Sequence, residues 1–422
     1  MNGIDGRLGM PVVLTRRSTL LGAAGLGTAG AVASTRAAHA AGTLKIGIIN
    51  PFSGPMAIYG DEVTRAYQLV VEDVNAKGGL LGRQVEIVRG DATNPQQGIA
   101  AVDQLATKDK VDLFSGTYIS AISNAASDAA MRYEKAWWET NSLAKDLTER
   151  GLPNYIRAGS NAGAFASISA QAIIGLVAPA LNKPASAVTA WIEHEDSIYG
   201  SSIADIQQGL LQKAGVKIVG ISAHSGRATD LTDSVLRAKK AAPDVWLETG
   251  YVADGNLLLR AARDQAFKPP VIMWVGVGDT VDTLDAVGAE FAEGMLVVGY
   301  PRPDISPQFG PGAAEFLAAY RAKYNREPIA PQGLSGYVAF QMLMEAIASA
   351  GSTDMEKLRA AAAKMDKPLN SYANGYGVKF DENFGNIRAF PTVVQWQAGK
   401  VVTVFPEKAL LPGVALKNLP RA

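Results

Sequence analysis

From Thr43 onward short apolar runs alternate with stretches of helical period, and the whole pattern occurs twice. That alternation confines the chain to parallel sheets covered by helices on both faces, the α/β class. Leu44 to Ile49 is an apolar run closed by Asn50-Pro51, which predicts a buried strand. Glu62 to Asn75 then places Val63, Ala66, Tyr67, Val70, Val71 and Val74 on one helical face. Val85 to the Gly90-Asp91 turn predicts strand two, Gln96 to Lys108 helix two, and Val111 to Phe114 strand three. Shorter extended pieces follow at Ala136 to Trp138 and Asn154 to Arg157.

Near Ala158-Gly159-Ser160-Asn161 the pattern restarts. Helix 162–181, strand 187–192, helix 197–214, strand 216–223, helix 231–241, strand 245–247, helix 255–266 and strand 271–275 make a second set of similar size. Beyond the 295–298 run and Tyr300-Pro301-Arg302-Pro303 come three helical stretches, 311–324, 336–350 and 355–364, with little strand between them. They lack a parallel sheet of their own, so they are expected to return and cover the first one. Strand-like pieces at 376–380, 392–396 and 401–405 end the chain, the last two joined by the hairpin signal Gln397-Ala398-Gly399-Lys400.

The first forty residues are expected to stand outside this fold. Paired Arg16-Arg17, an uncharged run from Leu20 to Val32 and Ala38-His39-Ala40 read as an export signal cleaved after Ala40, on the Tat or the Sec route. The run is shorter than the roughly 20 residues that span a bilayer. Within it Gly25-Leu26-Gly27-Thr28-Ala29-Gly30 matches a dinucleotide fingerprint in letters only, since it neither follows a strand nor opens a βαβ helix. The 422 residues suffice for two domains, and there are no cysteines and only three histidines, His39, His194 and His224. Thiolate chemistry, disulfides and a multi-histidine metal site are therefore not expected, and no cofactor is. Without residues 1–40 there are 36 basic and 39 acidic residues, a net charge of −3 with no basic run, which argues against nucleic acid or an anionic membrane as partner.

The stretch from Val111 to Tyr133 carries no charge between Asp112 and Asp128, while Ser115, Thr117, Tyr118, Ser120 and Ser123 cluster where strand three passes into a helical run from Ser123. Such a junction offers backbone N–H groups, hydroxyls and the positive end of a helix dipole, which suits the carboxylate of a small ligand. Hydroxyls that only cap the helix would look the same.

Several segments together carry a resemblance: Thr43 to Pro55, Tyr59-Gly60-Asp61, Asn75 to Arg83, Asp91 to Pro95, Leu147 to Gly151, Tyr199-Gly200 and Glu293-Gly294-Met295. Over residues 43–405 the chain resembles the periplasmic leucine/isoleucine/valine-binding proteins of ABC transporters, the type I solute-binding fold. The resemblance implies two lobes joined by three hinge crossovers, 43–160 plus 301–386 and 161–300 plus 387–422. A ligand would be held in the cleft, and the closed form presented to a membrane permease. It implies that Ser120, with Ala121 beside it, receives the ligand carboxylate, that Tyr59 contacts the ligand side chain, and that Tyr199 and Tyr251 close over it. All three tyrosines fall in loops after strand ends, where open α/β sheets bind ligands.

Two departures from the family pattern stand out. Trp138-Glu139-Thr140-Asn141-Ser142-Leu143 occupies the place of a small-residue and threonine loop, so Asn141 or Ser142 would take the threonine's part. The acidic residue that pairs with the ligand ammonium falls on Trp274-Val275-Gly276, which has no carboxylate. A buried ammonium without counter-charge costs several kcal/mol, so either Glu139, Glu193, Glu195, Asp254 or Asp279 serves, or the ligand has no ammonium. Trp274 with Trp137 and Trp138 would suit a larger or aromatic ligand. The resulting expectation is a non-catalytic binding protein for an amino acid or an ammonium-free organic or aromatic acid or amide, serving a permease or a sensor. An exported hydrolase would need His194 as base, and no nucleophile motif accompanies it.

Overall fold

Residues 42–421 are described by a computed structural model. Their apolar runs, cut short by glycine, proline and asparagine, form two separate main sheets. Sheet one takes β1 (Leu44–Asn50), β2 (Val85–Asp91), β3 (Leu113–Gly116), β4 (Trp137–Glu139) and β5 (Tyr155–Arg157), all parallel, in the order β2-β1-β3-β4-β5. Sheet two begins with β6 (Thr189–Glu195), β7 (Lys217–His224), β8 (Val245–Thr249), β9 (Val271–Val275) and β10 (Leu296–Gly299). A two-stranded ribbon pairs β11 (Asp366–Lys367) with β12 (Val378–Lys379). The terminal hairpin β13 (Thr392–Gln397) and β14 (Lys400–Phe405) joins sheet two antiparallel to β10, giving the order β14-β13-β10-β9-β8-β6-β7.

Each sheet is covered on both faces, as a parallel sheet must be to keep its apolar strands from water. On sheet one, Leu44, Ile46 and Trp138 pack against helices Ala57–Ala76 and Gln332–Ala350. The late helix thus returns to the first sheet, as its lack of a strand partner requires. The other face packs Ile49, Phe114 and Trp137 under helices Pro95–Gln104 and Ser120–Met131. On sheet two, Ile192, Leu247 and Met273 meet helices Ala162–Ala172 and Ile198–Lys213, while Trp191, Trp246 and Trp274 meet helices Thr232–Ala241 and Val252–Asp264.

Element boundaries depart from the sequence expectation in instructive places. The helix expected from Ser123 starts at Ser120, because the Ile119 carbonyl accepts from the Ile122 and Ser123 N–H groups and the Ser123 hydroxyl is used elsewhere. The helix expected over 162–181 carries a π-helical turn at Ile173–Val177. Ala162–Ala180 is long and apolar enough to cross a membrane by composition, yet Phe165, Ala166, Ala170, Ile173 and Val177 are buried against sheet two. The expected strand at 376–380 shrinks to two residues. The expected export signal lies outside the described residues.

Candidate functional site

The carboxyl ends of the two sheets supply the loops that meet between them. From sheet one come Tyr59 in the first turn of helix Ala57–Ala76, the Thr117-Tyr118-Ile119 segment after β3 leading to Ser120, and Thr140-Asn141-Ser142 after β4. Tyr59 does not lie in the expected loop, because that helix starts five residues before Glu62, and Tyr199 likewise lies in the first turn of helix Ile198–Lys213. From sheet two come Tyr199 after β6, Tyr251 after β8, Gly276 after β9 and Tyr300 after β10.

Tyrosines form the centre of the junction. Tyr59 stacks on Tyr118 with centroids 4.7 Å apart, Tyr118 meets Tyr251 edge-on at 6.1 Å, and Tyr251 meets Tyr199 at 5.0 Å. Tyr300 donates a hydrogen bond to the Asn141 carbonyl, joining sheet two's side to sheet one's. Between Tyr118, Tyr199, Tyr251, Tyr300, Asn141, Leu143 and Gly276 lies a cavity of about 10 Å³. A larger one of about 480 Å³ is walled by Ser53, Met56, Thr93, Ile119 and Ala121 from one side and by Glu195, Ser197, Arg227, Tyr251 and Asp254 from the other. Burial holds the phenols of Tyr118, Tyr199, Tyr251 and Tyr300 well above their ordinary range, so they stay neutral donors and acceptors. Gly276 makes room for one of them. At φ +86° it lies where a Cβ would fall 1.9 Å from the Tyr199 hydroxyl, which donates to the Val275 carbonyl at 3.1 Å.

Ser120 opens its helix, and its buried Oγ accepts from the Leu143 and Ala144 N–H groups at 3.3 and 3.2 Å, tying the helix start to the loop after β4. Its own N–H lies beside the Tyr251 hydroxyl, as does Ser197, although neither closes a hydrogen bond of good geometry. Ser142 shares a 2.8 Å hydrogen bond with Thr117, and Asn141 accepts from Thr140 at 2.8 Å while lining the small cavity. Tyr59 is fully buried, its hydroxyl near Thr280 and Asp279 of sheet two's side. Trp274 stands apart. It packs edge-on to Trp246 at 4.8 Å within an apolar cluster of sheet two, and like Tyr59, Ser120 and Ser142 it lines neither cavity.

The acidic candidates are mostly engaged. Glu139 Oε1 accepts from the Thr140, Asn141 and Ser142 N–H groups at 2.9, 3.1 and 3.0 Å, and Oε2 from Ser123, Trp137 and Tyr155. Its role is to shape the loop after β4. Glu195 caps helix Ile198–Lys213 through Ser197 and Gly200. Asp254 caps helix Val252–Asp264 through the Tyr251 N–H, which starts that helix three residues earlier than the expected 255. Glu193 accepts from Trp191 and pairs with His224. Asp279 lies 3.6 Å from the Arg302 guanidinium. His194 holds the Glu195 carbonyl at 2.9 Å.

Tyr118 and Leu143 fall in stretches the sequence singled out, without being chosen there as individual contacts, and Gly276 and Tyr300 were not chosen as lining residues. Tyr300 directly follows β10 just as Tyr251, which the resemblance pointed to, closely follows β8, so the strand-end position that supported Tyr251 was open to Tyr300 as well.

The description "periplasmic binding protein" fits a family profile that matches residues 43–400. The "Leu/Ile/Val-binding protein homolog 7" of Brucella suis is 35% identical over 381 residues, covering 90% of this chain and 96% of that protein. The "homolog 8" of the same organism is 34% identical, covering 96% of this chain and 100% of the relative. Among solved structures, the leucine binding protein LivK of Thermotoga maritima superposes with a TM-score of 0.75 at 24% identity, covering 88% of this chain and 99% of that one. A solute binding protein of an R. palustris ABC transporter, in complex with 4-hydroxybenzoate, gives 0.72 at 20% identity, covering 86% and 95%. Those two share the fold, and the profile with the Brucella relatives fixes the family: the chain belongs to the periplasmic leucine/isoleucine/valine-binding proteins, with their type I α/β fold.

Proposed function

We propose that this protein is the extracytoplasmic binding subunit of an ABC importer, which captures a small carboxylate-bearing solute between its lobes and hands it to the permease. The ligand is an amino acid of branched-chain type or a related acid. The lobes are residues 43–160 plus 301–386 and 161–300 plus 387–422, and residues 1–40 carry the protein to the periplasm before cleavage after Ala40. The protein binds and releases without catalysis. The observation that carries this reading is the convergence of Tyr59 and Tyr118 from one side with Tyr199, Tyr251 and Tyr300 from the other, beside the helix start at Ser120. Aromatic walls supply apolar area and hydroxyls, and the helix start supplies N–H groups for an anion. Ala121, Asn141 and Ser142 complete the contact set, while Trp274 acts only through the wall behind it.

A second reading, an ammonium-free aromatic or organic acid in the same cleft, draws on the engaged state of Glu139, Glu195 and Asp254. The two are separated by thermal-shift screening across branched-chain amino acids, small amides and aromatic acids, with mass spectrometry of what co-purifies. Stabilisation by an amino acid supports the first reading, and stabilisation only by ammonium-free acids or amides supports the second. A panel without any stabiliser, together with a protein that carries nothing, counts against both.

A further inference from the structure

Behind the loop that carries Tyr251, a polar nest is enclosed in the tryptophan layer of sheet two. Glu193 on β6 and Glu248 on β8 are paired neighbours, and Trp274 on β9 pairs with Glu248, so the three lie side by side across the strands. His224 ends β7 beside them, and Asp254 comes down from the first turn of helix Val252–Asp264. His224 Nδ1 is 3.0 Å from Glu193 Oε1, and its Nε2 is 3.2 Å from Asp254 Oδ2. Glu193 Oε2 is fixed in turn by the Trp191 indole N–H at 3.1 Å.

Glu248 is the exception. It is 0% exposed, and neither carboxyl oxygen has a hydrogen-bond partner among the described residues. A polar group in that position costs several kcal/mol unless something binds it. Its donor atom, with one each from His224 and Asp254, falls in a set whose members all lie within 4.8 Å of one another. The backbone lets the carboxylates close in there. At Gly250 a Cβ would lie 2.2 Å from Glu248 Oε1 and 2.3 Å from Asp254 Oδ2, so only glycine allows both carboxylates to approach at that point.

We propose that His224 Nε2, Asp254 and Glu248 form a binding site for a divalent first-row transition-metal ion, buried beneath the cleft wall in the second sheet. One imidazole and two carboxylates, with a fourth position for water, is a donor set that zinc accepts. The requirement is for a single histidine, so the scarcity of histidines in the chain does not stand against it. The surroundings have the form that metal-binding histidines commonly show, in which the second ring nitrogen is held by a carboxylate. Here that carboxylate is Glu193, itself anchored by Trp191. Because Asp254 also accepts from the Tyr251 N–H, a bound ion braces the loop that presents Tyr251 to the cleft. This site adjoins the proposed solute site, sharing Asp254 with the wall of the larger cavity, and its test does not depend on knowing the solute.

The test uses untagged exported protein, freed of metal with a chelator, incubated with zinc chloride and desalted. Wild type is expected to retain about one zinc per chain by plasma mass spectrometry and to melt at a higher temperature than the metal-free sample. Glu248→Gln and His224→Gln are each expected to lose both effects, while His194→Gln keeps them. Should the two variants fail to fold, cobalt gives the answer on wild type alone, by visible bands that zinc abolishes. A wild type that leaves the column without zinc or cobalt overturns the proposal. So does zinc retained equally by folded Glu248→Gln and His224→Gln.

Discussion

At the residue scale, the deciding side chains are those whose partners are distant in sequence or belong to the backbone. Glu139 lies between two tryptophan-bearing positions and the loop that it shapes. Its Oε1 gathers three successive N–H groups, while Ser123 and Tyr155 reach Oε2 from 16 residues away in either direction. None of this is visible in Trp138-Glu139-Thr140, so the sequence offered Glu139 only as one of five acids for a ligand ammonium. Glu139→Gln turns an acceptor toward Trp137 and Ser123 into a donor. The expected cost is about 2–4 kcal/mol, because a buried carboxyl that accepts from several donors is replaced by a mismatched group. Urea unfolding measures it, and a loss below about 0.5 kcal/mol would show that the loop does not depend on the carboxylate. Tyr251 belongs to the same scale, though the family resemblance pointed to it and its place just past a strand end supported it. Tyr251→Ala removes a wall shared by both cavities, and solute affinity should fall about 10- to 100-fold, the usual range for a buried aromatic anchor. Calorimetry with the solute found in the screen reads the change. An unchanged Kd would remove Tyr251 from the site.

At the element scale, strands and helices were legible wherever periodicity and caps agreed. The strand cores of sheets one and two could be read within a few residues, because short apolar runs bounded by Gly, Pro and Asn have few other uses. What escaped was set by tertiary contacts: the π-helical turn at Ile173–Val177, and the helix start at Val252 that Asp254 provides. Asn161 is the readable kind. Its Oδ1 accepts the Ala164 N–H at 2.9 Å and starts helix Ala162–Ala172, the first element after the last strand of sheet one. Asn161→Ala should cost about 1 kcal/mol in thermal or urea unfolding, and Asn161→Gly only a few tenths. Asp244, just before β8, binds Lys183 at 2.6 Å and the Thr189 N–H and hydroxyl at 2.9 and 3.1 Å, joining the starts of two strands. Burial works to raise its pKa, and the bonds from Lys183 and Thr189 outweigh it, so the carboxyl sits below its ordinary value. A depressed carboxyl stabilises the fold above its unfolded pKa of about 3.9, and that contribution fades as pH falls through the lower folded value. Asp244→Asn should therefore destabilise by about 1–2 kcal/mol at neutral pH, with the gap to wild type closing below about pH 3.9. A gap that is constant with pH would mean that the charge plays no part.

At the scale of the whole molecule, the twofold recurrence of strand and helix foretold two sheets, and the late helices without strands foretold a return to the first. The order of strands within each sheet was not legible, since pairing between β6 and β8 or β1 and β3 depends on contacts across many residues. Nor was the packing of Tyr118 against Tyr251, which links the two sheets where the proposed cleft closes. An edge-to-face aromatic pair contributes about 0.5–1.5 kcal/mol, which shifts an open–closed equilibrium about 2- to 12-fold at 1.4 kcal/mol per factor of ten. If the lobes move as hinged bodies, that pair holds the solute-free protein toward the arrangement seen here. Tyr118→Ala should then give solute-free protein a larger radius of gyration in small-angle X-ray scattering than wild type, and saturating solute should bring the two together. A circular dichroism melt guards against a trivial cause, since partial unfolding would also enlarge the particle. Identical scattering curves for folded wild type and variant, with and without solute, would mean that the tyrosine contact does not set the closure.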